Sequence, residues 1–402
     1  MGLYVGNKFV IDTGSIVYKS SSTSGIGTTE NKKIKASDAG SSDFFGYSVA
    51  VGSDRIVVGA YNNTVTYNNQ GSAYIFDLDG NEVDILTATY GQTNQYFGNS
   101  VAVGSGKIVI GSRGYSSARG AAYIYDLDGT NENIITASDD AAYDQFGRSV
   151  AVGCGKVVVG SYDDDVNSNT DQGSAYIYDL DGTNEIKITA SDGATFDRFG
   201  NSVAVGCGRI VVGSSLDDDN GNVSGSAYIF DLNGNQLTKI TASDGDSSDN
   251  FGHSVAVGSG RIVVGAPYDN DNGSDSGSAY IFDLNGNQLA KITASDGAAD
   301  DWFGYSVAVG SDRIVVGSYR DESITGSAYV FDLDGNQLVK INASDGDAND
   351  SFGISVAVGN GRIVAGAHFD YGVGNQEGSA YIWEIDETLN DYYDDIVDNY
   401  RY

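Results

Sequence analysis

Carboxylates in short runs are the residues best placed to do chemistry here: Asp163, Asp164 and Asp165, then Asp217, Asp218 and Asp219, then Asp269 and Asp271. Oxygens grouped in this way suit a hard cation, which takes six to eight of them from carboxylates, amides and carbonyls, and Ca²⁺ is the cofactor they would hold. "DNDNGSDSG" at 269–277 alternates Asp and Asn around a Gly, like half of an EF-hand loop without its closing Glu. The competing role is local, because Asp and Asn side chains cap turns by accepting from nearby backbone N–H groups. Further acids recur at fixed places. One follows "AS" at Asp38, Asp139, Asp192, Asp244, Asp296 and Asp345. Another stands two residues before a Phe at Asp43, Asp144, Asp197, Asp249, Asp301 and Asp350, where a structural role is expected. Its suggested partner is the cation opening the second strand of each repeat, from Arg55 to Arg362, if the two share a blade end. Thr89 and Gln95 break both rules in one copy.

Other chemistry is thin. His253 and His368 fit no metal-ligand spacing and read as ordinary loop residues. "GCGK" at 153–156 lacks the lead and the following helix of a phosphate loop and reads as a hairpin turn. Carboxylates are too many to single out a glycosidase pair, so no enzymatic activity is expected.

The acids are spaced by a repeat. Phe45, Phe97, Phe146, Phe199, Phe251, Phe303 and Phe352 each precede a Gly, at intervals of 52, 49, 53, 52, 52 and 49 residues. Each copy continues through "SVAVG", a tight turn, "RIVVG", a loop, "GSAYIFDL", "DGN" and "KITASDG", or close variants. These are four short runs rich in Val, Ile, Tyr and Phe, punctuated by Gly, Asp and Asn, and they predict four antiparallel strands per repeat. Repeats of about 50 residues with four strands fit propeller blades. The predicted fold is an all-β, seven-bladed β-propeller of four-stranded blades, with each repeated Phe wedged between neighbours. The seventh copy ends one strand short at "GSAYIWEI", and "KKIKASD" at 32–38 matches the missing run. The N-terminal strand, about 32–37, should therefore complete the last blade and remove the open edge. Three regions follow: an N-terminal extension over 1–31 that could anchor or assemble, the propeller over 32–386, and an acidic, Tyr-rich tail over 387–402 that suggests a short helix. In such blades the links 1–2 and 3–4 share one end, where the turns are tight. The links 2–3 and 4–1 share the other, which carries the acids and the length that binding loops need.

Composition narrows the partners. The formal charge is −33, which repels nucleic acid and anionic membranes. No 18-residue apolar run is present, so no membrane insertion is expected. Cys154 and Cys207 occupy one turn position in adjacent copies and form no disulfide framework. The opening "MGLYVGNKFVIDTGSIVYKSS" lacks a basic stretch followed by an apolar one, so general secretion is not expected.

"FGxSVAVG", "RIVVGAPYDNDNG" and "GSAYIFDL" resemble the FG-GAP repeat family, the repeat of integrin alpha-chain propellers and of many bacterial and viral surface proteins. The resemblance implies a seven-bladed propeller with a role in adhesion or assembly. In integrin-type repeats the Ca²⁺ loop lies between strands 1 and 2. Here that link is the short "GSGR" turn, so those ligands do not carry over. The acidic 2–3 loops look like a bacterial "GDDDNG" subtype. The expectation is a non-enzymatic interaction and assembly module on an extracellular surface, foremost a virion structural protein such as a phage tail-fibre or decoration protein. Its partners would be other virion or surface proteins and a host receptor or glycan. The alternatives are a bacterial secreted or surface adhesin with a Ca²⁺-dependent propeller, and a carbohydrate-active propeller enzyme.

Overall fold

The computed structural model describes residues 25–371 and 376–385, together with the hairpin strands Phe9–Asp12 and Ser15–Tyr18. Its body is seven antiparallel sheets of four strands, one for each repeat. In blade 4 the strands run Ser202–Gly206, Arg209–Ser214, Ser226–Phe230 and Gln236–Ile240, from the central channel outward. The two middle strands, "RIVVGS" and "SAYIF", are apolar nearly throughout because both of their faces are covered; only Arg209 at the start is half-exposed. The outer strand "QLTKI" is less covered, with Leu237 exposed and only the closing Ile240 buried.

The core sits between blades. Each of the seven apolar clusters draws on two neighbours; that between blades 4 and 5 joins Val211 and Ile229 to Phe251, Val264 and Tyr280. All seven repeated Phe side chains are fully buried there. Phe251 meets the Tyr280 and Phe282 rings edge-on, at 5.4 and 5.9 Å, a favoured aromatic geometry. The Gly after it is required sterically. Gly252 has φ of +90°, and a Cβ there would lie 2.2 Å from the Ser226 carbonyl of the preceding blade. The Ser of "SVAVG" stitches the same seam, since Ser202 Oγ donates to the Gly252 carbonyl at 2.8 Å.

The ring closes as the sequence predicts. Lys32–Ile34 pairs antiparallel with Ser379–Glu384, matching Lys32 to Ile382 and Ile34 to Ala380. The seam carries the usual stitch, from Ser355 Oγ to the Gly46 carbonyl at 2.8 Å. Ile26 bridges Ile385, and the Ile385 N–H donates to Gly361 in a 1–2 turn. The chain thus enters and leaves the propeller on the short-turn face. The N-terminal extension contributes the hairpin above, and the expected tail over 387–402 lies outside the described residues. No helix among the described residues is long and apolar enough to cross a membrane.

Candidate binding site on the long-loop face

Both long links, 2–3 and 4–1, lie at one end of every blade, and their acids form an outer rim. The rim acids surround lysines. In blade 4 the Lys239 ammonium lies 2.9 Å from Asp192, 3.0 Å from Asp217 and also against Asp219, while the Tyr228 hydroxyl donates to Asp192 and Asp217. Blade 5 repeats this with Lys291, Asp244, Asp269, Asp271 and Tyr280. Blade 3 uses Lys187, Asp139, Asp164 and Tyr176. Burial works against the Asp192 charge, but the Lys239 and Tyr228 hydrogen bonds outweigh it and hold the carboxyl below its ordinary range. Of the remaining candidate metal ligands, Asp163 faces Arg198 at 3.3 Å, Asp165 accepts from the Asp171 N–H, and Asp218 accepts from the Val223 N–H. Among the described residues, no group of three or more His, Cys, Asp or Glu side chains is arranged to hold a metal ion.

The chain contains its own control. Blades 1 and 2 put Ile85 and Ile134 opposite Tyr74 and Tyr123, where blade 4 puts Lys239 opposite Tyr228. Those two blades also give up acids: Asn63 donates to Tyr74, and Gln95 donates to Tyr123. Where the lysine goes, a carboxylate goes with it, while blade 1 keeps Asp38, which accepts from the Tyr74 hydroxyl at 2.7 Å.

The Asp two residues before Phe caps its loop. Asp249 accepts from the Asp246 N–H at 2.7 Å, and Gln95 does the same for Gln92 at 2.9 Å. Burial pushes Asp144, Asp197 and Asp249 up to about 6, against the backbone N–H bond that each accepts. The second-strand cations are elsewhere. Lys107 and Lys156 pair with Asp126 and Asp179, and the Arg209 Nε donates to the Leu284 carbonyl, all at the short-turn end. The pairing of these cations with the capping Asp is therefore overturned: each sits at an opposite end of the blade.

Inside the rim lies a different surface. The residue after each Phe-Gly, just before the Ser-Val of the inner strand, circles the channel mouth: Tyr47, Asn99, Arg148, Asn201, His253, Tyr305 and Ile354. They border a cavity of about 250 Å³. On one side, Tyr47 packs on Tyr61 at 4.5 Å and His368 at 5.6 Å, with Phe44 beside both. On the other, Tyr305 packs on His253 at 4.5 Å and Tyr319 at 4.6 Å, and stacks near-parallel to Trp302. The Arg148 guanidinium spans the gap, over the Tyr162 ring at 5.0 Å and among the Tyr47 and Tyr305 hydroxyls. Arg113 lies over Tyr96, and Arg320 over Trp302 at 4.3 Å.

These three arginines are unusual in so acidic a chain. Among the described residues none of them forms an ion pair with a carboxylate, while Lys33, Lys187, Lys239, Lys291 and Lys340 each hold two or more. Nε of Arg113 and of Arg320 and the Trp302 indole N–H are buried without a hydrogen-bond partner. The histidines are more than loop residues. Burial, then the Arg148 charge, lowers His253 to about 4, and burial lowers His368 to about 3, so both are neutral rings of the aromatic floor. Sequence reasoning missed this surface, although a signal was present. The position after Phe-Gly holds five residue types across the seven copies of an otherwise uniform motif.

The FG-GAP repeat family matches the chain seven times, at residues 28–76, 81–125, 130–178, 183–230, 235–282, 287–331 and 336–383. Each match spans the outer strand of one blade and the three inner strands of the next, so repeat and blade are one strand out of step. No curated protein matches the chain.

Proposed function

Because the chain belongs to the FG-GAP repeat family, we propose that it is a non-enzymatic adhesion module on a virion surface, taking its receptor on the long-loop face. The observation that carries this is the gathering of Trp302, Arg320, Arg148, Arg113 and a dozen aromatic contacts around one channel mouth. Aromatic residues and Arg are the side chains that dominate binding hot spots, and lysine and acids are depleted there. The two faces divide the labour: the polypeptide enters and leaves on the short-turn side, leaving the opposite side free to meet a partner. Cys154 and Cys207 are exposed free thiols. That suits a protein assembled in a reducing cytoplasm and then released on a particle. Mass spectrometry of purified particles from the source culture is the test. The reading expects this chain among the structural proteins and expects antibody against the long-loop face to block attachment. Particles that lack it, or attachment indifferent to the antibody, would end the proposal.

A further inference from the structure

We propose that the channel mouth is a pocket for a single carboxylated sugar residue, with Arg148 holding the carboxylate between the Tyr47–Tyr61 and Trp302–Tyr305 aromatic clusters. This deepens the adhesion reading above and rests on it, naming the class of receptor.

Four observations carry it. Arg148 is a planar, permanently charged fork that matches a carboxylate in bidentate fashion, and it forms no ion pair with any carboxylate of the described chain, in a molecule with 55 acids to choose from. Its neighbours His253 and Tyr305 are neutral, Asn99 and Asn201 on the same ring are polar but uncharged, and the nearby carboxylate that feels the Arg148 charge, Asp163, is paired with Arg198 at 3.3 Å. Tyr47 and Tyr305 line the cavity with it, and the ring face of a Tyr takes the C–H face of a pyranose by the same dispersion and quadrupole forces that stack aromatic rings on one another. The cavity, about 250 Å³, is the scale of one sugar ring and excludes a helix or a folded domain.

The surroundings select against the other anions. The outer rim carries Asp192, Asp219, Asp244, Asp271 and their counterparts, partly exposed, within a net charge of −33. An acidic peptide or a nucleic acid would lay its charges over that rim and be repelled. A glycan brings one carboxylate into the mouth and leaves only neutral hydroxyls outside it.

The test uses the whole protein and three probes: the methyl glycoside of galacturonic acid, which carries one carboxylate, its methyl ester, and a Glu-rich peptide. Binding is read by Trp fluorescence and by saturation-transfer NMR. The free acid should bind with the esterified sugar at least about tenfold weaker, because a charge-assisted hydrogen-bonded pair is lost. Arg148→Gln should erase that difference. The ester comparison needs no variant, so a failure of Arg148→Gln to fold leaves the question answerable. Equal binding of acid and ester, better binding of the peptide, or no saccharide binding up to about 10 mM each overturns the inference. If particles still attach through this face while saccharides fail, the adhesion reading stands and only the ligand class falls.

Discussion

Asp249 sits where a charge is costly. Its carboxyl keeps its proton to about pH 6, because burial outweighs the Asp246 N–H bond that it accepts. The unfolded chain releases that proton near the ordinary value, about 3.9. Folding therefore favours the protonated form, and the stability contributed here falls as pH rises from about 4 through about 6. Asp249→Asn keeps an acceptor and removes the ionisation, as Gln95 already does in blade 2. We expect it to raise stability at pH 8 by on the order of 1–2 kcal/mol and to change nothing near pH 4, read by urea unfolding at both. The lysine clusters give a second expectation. Lys239 already fills the space among Asp192, Asp217 and Asp219 that a cation would take. A chelator should leave the wild-type melting midpoint unmoved, whereas Lys239→Gln should lower it and make it rise with added Ca²⁺. A chelator shift in the wild type would instead place Ca²⁺ in these loops. Much at this scale could not be read in advance. The runs of Asp were visible, but the lysines they surround come from another strand some 20 residues later, and only the blade brings Tyr228 and Lys239 side by side. The aromatic floor was hidden for a related reason: its two sides, Tyr47 with Tyr61 and Tyr305 with Trp302, belong to different blades.

Strands and blades were far more legible. Buried middle strands read as apolar runs, hairpins as "DG" and "NG", and the missing seventh outer strand as a leftover "KKI". Local pattern dictates these elements, and the ring then has only one way to close. The clasp was expected over 32–37 and pairs only over Lys32–Ile34, because the chain must turn at Ala36 into the first 4–1 link. So short a strand depends on side chains. Lys33 reaches Asp345 at 2.8 Å and also Asp370, which is 4% exposed. Lys33→Met would strand Asp370 as a buried, unpaired charge and should cost about 3 kcal/mol. Adding Asp370→Asn copies the blade 1 solution of Asn63 beside Ile85 and should restore most of that loss. Thermal melts of the single and double variants check both, and a double variant no better than the single would refute the account.

At the scale of the whole molecule, charge and closure dominate. The chain carries a net −33, most of it on one compact ring that repels itself. Raising NaCl from about 10 to about 150 mM shortens the screening length to about 8 Å, so the melting midpoint should rise, even though the exposed pairs of the rim weaken. A midpoint that falls with salt would mean the rim pairs outweigh the global repulsion. Closure has a mechanical side. If a captured receptor drags on one face while the polypeptide is held from the other, tension runs along the strand axes. The clasp's hydrogen bonds lie across that axis, so Lys32–Ile34 and its neighbour would have to slip past one another with every bond loaded together. Prising the two chain ends apart sideways would load those bonds one after another, like a zip. The same three residues should thus withstand a tug from the receptor far better than a spreading of the ends.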